Sequence, residues 1–67
     1  MRTREIEQIL KENGFVILRQ SRHTIWTDGM TRIVLPNHRM VEMRLSKQIL
    51  INIRKALAFR DAAAVAV

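Results

Sequence analysis

The side chains best equipped for chemistry in this sequence stand in the stretch Ser21-Arg22-His23-Thr24-Ile25-Trp26. An imidazole takes up or releases a proton near neutral pH because its unperturbed pKa is about 6.5. Arg22 adjoins His23, and Arg19 and Arg32 are predicted to lie near it. RNA carries its own nucleophile, the 2′-hydroxyl. Its cleavage therefore asks for proton transfer, alignment and neutralisation of the charge that builds on phosphorus. One imidazole with several guanidinium groups meets that need, since guanidinium also grips phosphate bidentately. The residue set thus suits an RNA-cleaving site with His23 as general acid/base. Arg22 and Arg32 are the first candidates for holding phosphate, with Arg19 behind them. His38, after Pro36-Asn37, is a candidate second acid/base group, although a loop histidine bonded to backbone is the plainer role.

Other chemistries find little footing. Ser21 has no acidic residue close enough in sequence to suggest a triad, and turn formation is its ordinary use. Asp28 and Glu42 are too few for a two-metal nuclease. With two histidines and no cysteine, a closed zinc site lacks ligands. No metal and no cofactor are therefore expected. The absence of cysteine leaves the redox compartment open. Trp26 has the flat surface to stack on a base, but its predicted face assigns it to the core.

The chain is 67 residues long, enough for one domain with a marginal core of its own, so stabilisation by a partner subunit is expected. Twelve Lys and Arg against six Asp and Glu give a net charge of +6. The excess is uneven, for between Arg19 and Arg60 only Asp28 and Glu42 are acidic. A polyanion is the natural partner of such a field, because each neutralised phosphate releases counterions. A solvated basic surface is the alternative. No apolar run is long enough to span a bilayer, and the N-terminus lacks the apolar core of a signal peptide, so a cytoplasmic protein without membrane contact is expected.

These residues need elements to position them. Thr3 is a suitable N-cap, with Glu5 and Glu7 behind it in the first turn. Ile6, Ile9 and Leu10 follow at helical spacing, and Gly14 offers the left-handed stop. Phe15-Val16-Ile17-Leu18 runs into Arg19-Gln20 as a strand. His23 to Thr27 and Thr31 to Leu35 are β-rich runs around Asp28-Gly29, a strong hairpin signal. A two-residue loop there pairs Thr27 with Met30, Thr24 with Ile33 and His23 with Val34. Thr24, Trp26, Ile33 and Leu35 then share the face that meets the helices. His23, Ile25, Arg32 and Val34 share the open one. Asn37 to Arg44 reads as a polar connection. A second helix is predicted from Leu45 or Ser46 to about Asp61, burying Ile49, Leu50, Ile53, Ala56 and Leu57. Ile51 and Phe59 lie off that stripe. Residues 61–67 either extend the helix or fray. The fold class is α+β, an αβββα unit with a three-stranded antiparallel sheet and two helices on one face, like double-stranded-RNA-binding domains.

From Gly14-Phe15 through Leu57 the sequence resembles the HicA toxins, the mRNA interferases of a type II toxin–antitoxin system. The matching pieces are Gly14-Phe15, Arg19-Gln20, Ser21-Arg22-His23, Trp26, Ile33-Val34-Leu35-Pro36, His38 and the helix from Leu45 to Leu57. One departure stands out, since the glycine usual before the histidine's neighbour is missing and Arg22 directly precedes His23. The resemblance implies the same αβββα fold, a catalytic role for His23, and an endoribonuclease acting on mRNA. The products expected are a 2′,3′-cyclic phosphate and a 5′-hydroxyl. It also implies a HicB-like antitoxin partner that covers His23 with acidic side chains and carries most of the DNA contact. Two further readings share the pattern. One is an RNA-binding module without catalysis; the other is a structural subunit whose basic face meets an acidic protein.

Overall fold

The structure, a computed structural model, describes residues 1–65. Its elements follow the order α1 (Thr3–Glu12), β1 (Val16–Gln20), β2 (His23–Thr27), β3 (Arg32–Pro36) and α2 (Met43–Val65). The strands form one antiparallel sheet in the order β1-β2-β3. The architecture is α+β, as expected from the alternation of helical and strand patterns.

One face of the sheet carries the core. Trp26, Ile33 and Leu35 are buried there with Ile6 and Leu10 of α1 and Ile49, Ile53 and Ala56 of α2. Leu50 and Leu57 pack at its margin. Both helices therefore cover the same side, and desolvation of this shared apolar surface is what holds the layers together. His23, Arg32 and Val34 lie exposed on the other side.

α1 begins differently from the expectation. Arg2 is its N-cap and makes no side-chain cap, while Thr3 is the first helical residue and is buried. The Thr3 amide donates to the Arg39 carbonyl at 3.1 Å, and its hydroxyl donates to the His38 carbonyl. Backbone from the loop after β3 thus satisfies a helix-end N–H that a capping side chain would otherwise serve. The same loop pairs Met40 with Arg2 in an antiparallel bridge and sends Val41 into the core. At the other end Gly14, at φ 81°, takes the left-handed turn that lets Phe15 drop into the core.

The β2–β3 loop spans Asp28–Thr31, four residues rather than two, because Thr27 pairs with Arg32. Asp28 causes the widening. Its Oδ1 accepts the Met30 and Thr31 amides at 2.9 and 2.8 Å, and Gly29 turns at φ 93°. Trp26 then faces Ile33, Thr24 faces Leu35 and His23 faces Pro36, a register two residues away from the predicted one. A shift of two leaves every side chain on its predicted face.

α2 starts at Met43, earlier than the predicted Leu45 or Ser46, and continues through Val65. Ser46 lies inside the helix, buried, with its hydroxyl donating to the Val41 carbonyl at 3.1 Å. Residues 61–65 extend the helix, and residues 66 and 67 lie outside the described part. No helix among the described residues is long and apolar enough to cross a membrane.

Candidate active site

His23 opens β2 on the helix-free face of the sheet, and its side chain is exposed. The turn that delivers it is short. The Ser21 amide donates to the His23 carbonyl at 3.1 Å, and no residue other than glycine adopts a positive φ among the described residues. Ser21 and Arg22 therefore make this turn without left-handed backbone.

A side chain just after β3 stitches this turn down. Asn37 donates from Nδ2 to the Ser21 carbonyl at 2.6 Å, and the Thr24 hydroxyl donates to Asn37 Oδ1 at 2.5 Å. Asn37 thus spans the residues before and after His23. Sequence patterning gives no hint of this, because the contact joins loops sixteen positions apart. The only signal is an Asn directly after the proline that ends a strand.

The arginines fall at unequal distances. Arg22 is the neighbour of His23 in the turn. Arg19 pairs with Ile25, the next residue of β2 on the same face as His23. The sheet is irregular between Ile17 and Arg19, and this bulge sets Arg19 opposite Ile25. Arg32 shares the open face but pairs with Thr27 at the far end of the hairpin. Thr27 stands four positions from His23, a span of about 13 Å at the usual strand rise of about 3.3 Å. The expectation that Arg32 stands close to His23 fails because the wider loop moves β3 by two positions.

His38 lies away from the open face. It lines a cleft of about 820 Å³ between the start of α1 and the loop after β3, with Arg2, Arg4 and Arg39. Its carbonyl is the acceptor for Thr3.

The remaining acidic candidate is occupied structurally. Asp28 is closed off from solvent, with Oδ2 3.5 Å from Arg60 Nε. Burial pushes its carboxyl up, but the Thr31 and Met30 amides and the Arg60 guanidinium outweigh this and hold it below the ordinary carboxylate value. Trp26 is buried in the core, as its predicted face required. Among the described residues no three His, Asp or Glu side chains gather where they could hold a metal.

The site therefore consists of one exposed histidine at a sheet end, an arginine adjacent to it in the turn, and a second arginine whose strand position lies opposite Ile25, one row along the open face. Beside the imidazole the face is apolar and open, with Val34 half exposed. No family model, curated protein or solved structure matches the chain.

Proposed function

We propose that this protein is a metal-independent endoribonuclease of the HicA type, the toxin of a toxin–antitoxin pair, built on a double-stranded-RNA-binding-like αβββα unit. The observation that carries the reading is the exposed His23 on the uncovered sheet face, with Arg22 in its own turn and Arg19 one row away. The net charge of +6 supports a polyanionic substrate.

In the proposed step His23 takes the proton from a ribose 2′-hydroxyl. The 2′-oxygen bonds to the adjacent phosphorus, and the bond from phosphorus to the 5′-oxygen breaks. His23 returns that proton to the leaving oxygen, directly or through water, so the products are a 5′-hydroxyl and a 2′,3′-cyclic phosphate. Arg22 and Arg19 stabilise the charge on the non-bridging oxygens. Arg32 holds a phosphate further along the strand. A HicB-like antitoxin would neutralise the enzyme by covering His23 and engaging the arginines with carboxylates, leaving DNA contact mainly to the antitoxin.

The test is incubation of the purified protein with mRNA in excess chelator. Cleavage with cyclic phosphate ends is expected, and a folded His23→Ala variant should lose activity by at least about a hundredfold. Undiminished cleavage by that variant would remove the assignment.

A further inference from the structure

The cleft between α1 and the loop after β3 has no part in the proposed chemistry, yet its lining is strongly cationic. Arg2, Arg4 and Arg39 line its walls with His38, and Glu7 is its single carboxylate. Among the described residues the one ion pair is Arg60 with Asp28, so none of these three guanidinium groups is within salt-bridge distance of an acid. Three guanidinium groups against one carboxylate leave the cleft with an excess of positive charge, which an external anion relieves. The volume, about 820 Å³, is that of a ligand-holding cleft.

The walls are held by backbone. Arg2 and Met40 form an antiparallel bridge, the Val41 amide donates to the Met1 carbonyl at 2.8 Å, and the Thr3 amide donates to Arg39 at 3.1 Å. The Thr3 hydroxyl adds its bond to His38. Arg2 and Arg39 therefore start from fixed Cα positions on adjoining segments. The cleft also reaches the end of the sheet where His23 stands. Gln20 and Pro36 line it, and Pro36 is the cross-strand partner of His23. Partners in an antiparallel pair sit about 5 Å apart at Cα. A chain of phosphates that leaves the open face at His23 passes over this edge and into the cleft within a few nucleotides.

We infer that the cleft lined by Arg2, Arg4, His38 and Arg39 is a second RNA site, which takes internal phosphodiesters of the same strand that His23 cleaves. This rests on the reading of the protein as an RNA-cleaving enzyme. Cleft and sheet face together form one cationic track around the end of the sheet. The strand enters it single-stranded, because a duplex is too wide to fold over a sheet edge.

The test uses a single-stranded oligonucleotide whose 2′-oxygens are all methylated, which removes the nucleophile and leaves the phosphates. Its affinity is followed by fluorescence anisotropy over a salt series, for the parent protein, for Arg2→Gln/Arg39→Gln and for Arg19→Gln/Arg32→Gln. For single strands the slope of log K against log salt changes by about 0.7 per phosphate contact. The cleft variant should lose about 1.4 from its slope and at least about tenfold in affinity at low salt. Should it fail to fold by circular dichroism, Arg4→Gln/Arg39→Gln is measured in its place with the same expectation. A cleft variant indistinguishable from the parent, with the sheet variant weakened, would overturn the second site and leave the enzyme reading standing. Parent protein that binds no RNA would overturn both. A lost slope in a protein that cleaves no RNA would keep the cleft and remove the enzyme. Strands with a 5′-hydroxyl and a 5′-phosphate should bind equally well; a strong preference for the phosphate would overturn the claim of internal contacts.

Discussion

Asn37 holds Ser21 by a hydrogen bond of 2.6 Å from its Nδ2 to the Ser21 carbonyl, and its other amide atom accepts from Thr24. The two bonds bracket His23, which is itself paired with Pro36, the residue before Asn37. Asn37 is thus a positioning residue for the imidazole. Removing its side chain frees the turn before β2 while leaving His23 present.

Asn37→Ala should therefore lower kcat for RNA cleavage by about tenfold to a hundredfold, the scale on which an ångström of misplacement acts. KM should stay within about twofold, because the groups proposed to hold phosphate are still there. Steady-state kinetics reads both. A fall in kcat matched by a parallel rise in KM would mean that Asn37 serves binding rather than alignment.

The two arginines of the open face should separate in kinetics. Arg19 stands opposite Ile25, one row from His23, whereas Arg32 stands opposite Thr27 at the far end. Arg19→Gln should reduce kcat by about tenfold or more, since a cation beside the reacting phosphate acts on charge that develops in the transition state. Arg32→Gln should mainly raise KM and flatten the salt dependence, as expected for a contact with a remote phosphate. Equal effects on kcat from both would contradict the register.

That contrast also shows how far the sequence could be read. Asp28-Gly29 announced the hairpin and period-two alternation sorted its faces, because both depend on nearest neighbours along the chain. The loop length escaped, since it depends on Asp28 caging the Met30 and Thr31 amides. The error of two residues preserved the faces and still moved Arg32 away from His23. Val41 and Ser46 are buried through contacts across the fold, with no periodicity to betray them. The apolar run Val16-Ile17-Leu18 correctly signalled a strand. All three nevertheless lie about half exposed on an edge of the sheet, and strand order is a tertiary property. Asn37 and the arginine cleft were illegible for the same reason.

His38 offers a sharper kinetic check. It lines the cleft behind the sheet, while His23 stands on the open face. His38→Ala should lose no more than about threefold in kcat, because general acid/base catalysis requires hydrogen-bond reach of the reacting atoms. A loss of about a hundredfold or more in kcat would make His38 the proton donor and would require the reacting phosphate to sit at the cleft.

The Arg60–Asp28 pair joins the C-terminal half of α2 to the tip of the hairpin, and it makes a stability prediction independent of any activity. Arg60 also donates to the Asn13 carbonyl at 2.8 Å and lies 5.9 Å from the centre of the Phe15 ring, so one side chain ties three parts of the chain. Asp28 Oδ2 is buried with no hydrogen bond of its own and faces only the Arg60 charge. Because the folded protein holds this carboxyl below the ordinary value of 3.8, the unfolded chain binds the proton first as pH falls. The contribution to stability is therefore complete above the unfolded value and disappears as pH drops through the lower, folded one. Asp28→Asn should cost about 1–3 kcal/mol at neutral pH, the scale for loss of a hydrogen-bonded charge with its partner left in place. It should also flatten the acid limb of the stability curve. Urea unfolding from pH 7 down to pH 2 would measure both effects, and an Asn variant as acid-sensitive as the parent would show that other carboxylates govern the transition.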